Sequence, residues 1–190
     1  MKIITKILLL TIILIFFPLK SFAHVEHYEK VEKFLMEIFK DGKKIGFNNY
    51  TFSRNDQNLE IDNKTEFNVS ILGLNAFSIK GASKEVYKNN KLVSFKSDTI
   101  QNKKKKFVDL YLNESKESYF IKGSSYNGKI GLDIVIGSWW NHKIIQTEKN
   151  ISPISGSINK QTINFIKNEK INLYGKVFDT KHFVILSKRL

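Results

Sequence analysis

Two hydrophobic patterns divide the chain. The first is one uncharged, largely apolar run, Ile7 to Phe17, with Lys2 and Lys6 before it and Pro18 after it. The second fills the sequence from Phe34 onward: short stretches of β-branched and aromatic residues that alternate with polar ones and are interrupted by Asn, Gly, Asp and Lys. Alternation with a period of two marks strands with one buried face, and few stretches keep the 3.6-residue period of an amphipathic helix.

The second pattern predicts a run of hairpins. Phe34, Met36 and Ile38 alternate with charged or outward neighbours, Asp41-Gly42 supplies a tight reversal, and Ile45 to Phe52 returns as the second strand. A turn at Asn55 to Asn58 leads into Leu59 to Leu72, where Phe67, Val69 and Ile71 share a face. Asn75 to Lys88 follows with Phe77 and Ile79 on a common side, then the turn Lys88 to Lys91, then Leu92 to Ser97 with its apolar side on odd positions. A polar turn over Gln101 to Lys106, the pair Phe107 to Leu112 and Tyr119 to Lys122, and a strand from Ile130 to Ile136 continue the meander. Ser138 to Ile151 predicts a short helix or packed loop. Ile154 to Ile158, Thr162 to Lys167, Lys170 to Val177 and His182 to Leu186 read as four further short strands.

These elements predict an all-β, mainly antiparallel fold: a meander sheet that curls into an open barrel or a two-layer clam, with an N-terminal signal helix and at most one short helix. Pro153 is the one proline after Pro18, and no Pro-, Gly- or Ser-rich tract divides the chain, so residues 24–190 read as a single antiparallel β domain.

The first pattern reads as an export signal over residues 1–23. Ser21 and Ala23 place small side chains before a cut ahead of His24, and the apolar run is too short for a helix that needs about twenty residues to cross a bilayer. The expected location is the periplasm, or the exterior in a host without an outer membrane, with a mature protein that does not span the membrane. The chain has no cysteine, which excludes a lipid-carrying thiol and a disulfide framework.

Charge alters this picture only a little. The formal net charge is +13, yet the arginines are Arg54 and Arg189 alone. Two-point capture of phosphate favours guanidinium over lysine, so nucleic acid is not an expected partner. Lys103, Lys104, Lys105 and Lys106, at a predicted hairpin tip, are the candidate contact with an anionic membrane surface, weighed against a solvated turn that discourages edge pairing.

Candidate chemistry is sparse. A cut before His24 exposes an amine and an imidazole that could chelate copper with His27, but no third histidine cluster follows and a metal site there is disfavoured. His142 and His182 form no zinc pattern, and no nucleophile elbow or phosphate loop is present, so no cofactor is expected and an enzyme is the weaker reading. Phe34, Phe52, Phe67, Phe77, Phe95 and Phe107 recur strand by strand on the expected concave face. With Trp139 and Trp140 at the mouth, Phe67, Phe77 and Phe95 are the candidate lining of a groove for a hydrophobic ligand. The alternative partner is an envelope component met through a sheet edge.

The hairpin Asp41-Gly42-Lys43-Lys44-Ile45-Gly46, the stretch Asn90 to Phe95 with Ser97, Asp98 and Thr99, the segment Ser138-Trp139-Trp140-Asn141, and Ser155-Gly156 occur in an order that resembles a bacterial family. That family is catalogued as domain of unknown function 6134 and is similar in style to lipoprotein-carrier-like half-barrels. The resemblance implies an exported all-β domain without an established activity. It also implies a further aromatic strand and a final strand beyond His182 to Leu186, so a C-terminal truncation that bares an apolar edge is expected.

Overall fold

The computed structural model describes residues 30–190 apart from 56, 72–73 and 116. The export segment, His24 and His27 lie outside the described residues. Among these residues eight strands form one antiparallel meander: β1 (Lys33–Lys40), β2 (Lys43–Asn55), β3 (Asn58–Ile71), β4 (Leu74–Lys88), β5 (Lys91–Gln101), β6 (Lys104–Leu112), β7 (Tyr119–Gly123) and β8 (Asn127–Ile130). A second sheet has the order β12-β11-β10-β9, built from β9 (Val135–Ile136), β10 (Lys149–Ile151), β11 (Ile158–Leu173) and β12 (Lys176–Arg189). β9 and β10 pair in parallel, and the other neighbours are antiparallel. β1 and β8 are the edges of the large sheet, which stays open and does not close into a barrel. The fold is thus all-β and mainly antiparallel, and a 3-10 turn at His142–Ile145 occupies the stretch read as a short helix or packed loop.

Turn chemistry sets the strand ends. Asp41-Gly42, Asn89-Asn90, Asn102-Lys103 and Tyr174-Gly175 each place two consecutive residues at positive φ, the backbone of the tight turn whose twist matches the strands it joins. Asn102 adds a local lock: its Oδ1 accepts from the Ser78 backbone N–H at 2.7 Å, and its own N–H donates to the Ser78 carbonyl at 3.0 Å.

Five sequence expectations need correction. The reversal after β5 is the pair Asn102-Lys103, so Lys104 to Lys106 belong to β6 and not to a polar turn. The stretch read as one strand from Ile130 to Ile136 breaks after Ile130, and β9 joins the other sheet. The four short C-terminal strands are two long ones. Ile154 falls in a turn, and Tyr174-Gly175, inside the segment read as Lys170 to Val177, is where the chain reverses. Phe107 lies opposite Asp98 on the outer face and is 41% exposed, because the inner phase of β6 belongs to Val108 and Leu110. A bulge at Val93 also breaks the odd-position rule in β5: Ser94 pairs with Val86 and Leu92 with Tyr87, which turns Leu92 inward.

The core sits where the smaller sheet and its loops rest on the inner face of the large one. Phe52, Ile61, Glu85, Phe95, Leu110 and Ile121 form one continuous cross-strand row through β2 to β7, and Ile136 and Ile151 from the second sheet and Trp140 from the loop after β9 pack against it. The loop after β10 lies directly on β7, since a Cβ at Gly123 would come within 2.8 Å of the Ser155 carbonyl oxygen. Ser97 Oγ donates to the Pro153 carbonyl at 2.6 Å and ties the same loop to β5.

Candidate functional site

Cross-strand register explains a groove on the inner face. Beside the packed row just described runs a second row, Phe34, Tyr50, Asn63, Ser83 and Ser97, and then a third, Met36, Asn48, Thr65, Gly81 and Thr99. A fourth row, Ile38, Gly46, Phe67 and Ile79, is apolar again. The middle rows carry mostly small polar side chains, so they do not fill the space between the apolar rows. Gly81 is required there, because a Cβ would approach Thr99 Oγ1 to 2.7 Å. The space left is a groove of about 710 Å³, with Trp139, Pro153 and Ile154 from the second sheet's loops on its far side.

Two polar clusters share this face. The first is fully buried. Glu85 is 1% exposed, and its carboxylate receives the Ser138 hydroxyl, the Trp140 Nε1–H at 3.0 Å and the Tyr87 hydroxyl at 2.7 Å. Burial pushes the Glu85 carboxyl up from its ordinary value, against the pull of the three donors. Tyr87 is driven well above a free phenol by its burial and then by the acid beside it. No lysine or arginine pairs with Glu85 among the described residues.

The second cluster faces the groove. Asn63 Nδ2 donates to Asn48 Oδ1 at 2.6 Å and to the Asn49 carbonyl at 3.0 Å, and Asn48 Nδ2 donates to the Tyr50 hydroxyl at 3.0 Å. The Trp139 backbone N–H also donates to Tyr50 Oη, at 3.1 Å. Burial is the main cause that pushes Tyr50 up to about 12, so it stays a neutral phenol in ordinary buffers. Ser138 belongs to both clusters, since it lines the groove and donates to Glu85.

The residues singled out from sequence separate between these regions. Phe67 lines the groove, and Phe77 packs against it with ring centroids 5.8 Å apart. Trp139 also lines the groove and is 59% exposed. Phe95 and Trp140 are in the core; the Trp140 ring meets Phe52 and Tyr87 edge-on at 5.6 and 5.8 Å. The four lysines do not form one patch. Lys103 is in the turn, Lys104 and Lys106 are in phase with Val108, and Lys105 is in phase with Phe107. His182 lies 3.3 Å from Glu169 on the last hairpin, and the described residues contain no group of three or more metal-ligating side chains.

Sequence reading gave no site role to Glu85, Asn63, Ser83 or Thr99, although Thr99 carries part of the family resemblance. Glu85 had a signal: it falls in the inward phase of β4 set by Phe77 and Ile79, where a carboxylate must find donors.

A family model described as Domain of unknown function (DUF6134) matches residues 36–189. No curated protein and no solved structure matches the chain.

Proposed function

The chain belongs to the family described as Domain of unknown function (DUF6134), and since that description assigns no chemistry we propose from the groove that this is an exported β-domain that binds a hydrophobic or lipid-like ligand. One observation carries the reading: small side chains in the two middle rows leave about 710 Å³ open between apolar rows that would otherwise meet. That volume is in the range of small-molecule sites, roughly 300–1,000 Å³. Met36, Ile38, Phe67, Ile79, Trp139 and Ile154 offer an apolar wall to such a ligand. The charged run-in and apolar stretch before His24 support delivery to the periplasm, and amino-terminal sequencing of the recovered protein should begin at His24.

The test uses the neutral probe N-phenylnaphthylamine, whose fluorescence rises in apolar surroundings. The mature protein should bind it, and Ser83→Leu, which fills the middle of the groove, should weaken binding at least about tenfold with the urea midpoint little changed. Equal binding by both proteins ends the reading.

A second reading, an envelope structural or partner-binding module that uses a sheet edge, is favoured by the last hairpin. Among the described residues β12 has β11 as its one neighbour, and Val177, Phe178, Val184 and Leu186 are exposed along it. Val184→Lys with Leu186→Lys should then remove envelope-protein cross-links that the unaltered chain forms; unchanged cross-links refute it.

A further inference from the structure

We infer that the groove selects a neutral amphiphile, an apolar chain with an uncharged hydroxyl-bearing head, and rejects anionic heads although the chain as a whole is strongly basic. This inference rests on the reading of the groove as a ligand site.

Open hydrogen-bonding capacity specifies the head. The hydroxyls of Ser83 and Thr99 line the groove and make no hydrogen bond among the described residues. Asn63 spends its amide protons on Asn48 and the Asn49 carbonyl, and among the described residues its Oδ1 accepts no hydrogen bond. Tyr50 Oη, on a residue only 3% exposed, receives protons from Asn48 and from the Trp139 backbone, which leaves its own proton to give. These are neighbours by register: Tyr50, Asn63 and Ser83 are successive members of one row, and Thr99 is in the next row across Gly81. The set offers three hydroxyl donors and a carbonyl acceptor, so the complement is a head that both donates and accepts, as a diol does.

Charge excludes the alternative. Among the described residues no lysine or arginine lines the groove, and the charged residue that does is Glu37, which is paired with Lys44 and accepts from the Tyr174 hydroxyl at 2.7 Å. The lysines of the central strands take the opposite phase: Lys64, Lys80, Lys84 and Lys96 are exposed on the outer face, where Lys80 and Lys84 meet Glu66, Glu60 and Asp62. Strand alternation therefore keeps the lysines of β3 to β5 off the floor, and Lys106, which lies opposite Thr99 in the inner phase of β6, is not among the lining residues. An anionic head seated on the row of Tyr50, Asn63 and Ser83 would lose its water with no lysine or arginine in the lining around it, and with Glu37 at the rim and Glu85 behind Ser138.

Competition against bound N-phenylnaphthylamine at about pH 8, where a fatty acid is ionised, tests this directly. Monolauroylglycerol should displace the probe at a concentration at least about tenfold lower than laurate does. Thr99→Val combined with Asn63→Leu should bring the two competitors to within about twofold of each other, each read against that variant's own probe-binding curve. Thr99→Lys, which places a cation on the floor, should reverse the order. Laurate equal to or better than monolauroylglycerol on the unaltered protein overturns the inference and leaves the hydrophobic-ligand reading standing. Absence of probe binding by the unaltered protein overturns both. A preference that survives both variants refutes the assignment to Asn63 and Thr99.

Discussion

Glu85 and Ser83 are two residues apart on one strand and point to the same side of it, yet they belong to regions of opposite character. Around Glu85 every acceptor oxygen has a donor, the neighbours are Phe52, Ile61, Phe95 and Trp140, and nothing is left over for a ligand. Around Ser83 the side chains are small, hydroxyls and a carbonyl make no hydrogen bond among the described residues, and the space beside them is open. Both regions are polar in composition. Spare hydrogen-bonding capacity next to open volume distinguishes a binding surface, whereas a saturated buried cluster holds the fold.

The largest expected effect breaks that contrast at its centre. Glu85→Leu removes the shared acceptor of Ser138, Tyr87 and Trp140 and strands three buried donors, which should cost about 3–5 kcal/mol in urea unfolding. Ser83→Leu should cost no more than about 1 kcal/mol, because it fills space instead of emptying it. Similar losses in the two variants would show that the groove is as tightly built as the core.

The tryptophans give the next largest difference. Trp140 is 1% exposed, packs edge-on against two rings and donates to Glu85, so Trp140→Ala should destabilise by about 3–4 kcal/mol. Trp139 is its neighbour in sequence but is 59% exposed, and Trp139→Ala should cost less than about 1 kcal/mol while weakening probe binding. Matching stability losses, or unaltered probe binding by Trp139→Ala, would dissolve the division between core and groove.

Legibility followed the same line. Strand alternation from Phe34 to Leu112 was readable because each strand buries one face, and the tight turns at Asp41-Gly42 and Asn89-Asn90 announced themselves by residue type. The last hairpin was misread because Tyr174 occupies a left-handed turn position inside an apolar stretch, where periodicity alone suggests a continuing strand. Phe67 and Trp139 could be tied to a groove from their chemistry, but Phe95 and Trp140 look alike in sequence and only cross-strand register puts them in the packed row. The groove floor was illegible for a different reason. Ser, Thr, Gly and Asn in a strand usually signal exposure or a turn, and their inward phase becomes meaningful only when two such rows are adjacent.

The smallest predicted effect asks whether Glu85 is held by burial against its own charge. Glu85→Gln keeps the shape: its carbonyl can accept from Ser138 and Trp140, and its amide can donate to a Tyr87 hydroxyl turned the other way. Because burial raises the folded-state pKa above its ordinary 4.5, the neutral form is favoured in the folded protein. The associated stability is then fully present below that value and is lost as pH rises through the folded pKa, by about 1.4 kcal/mol for each unit of upward shift. Tyr50 and Tyr87, the titratable groups nearest to it, remain neutral over this range, and the other carboxylates are common to both proteins, so subtraction isolates Glu85. Urea unfolding across pH 4 to 8 should find the two proteins nearly equal at the acid end and the unaltered protein progressively weaker than Glu85→Gln towards neutrality. A difference that does not change with pH would mean that three donors fully offset the loss of water, and the saturated cluster would then tolerate a charge as readily as the open groove is argued to refuse one.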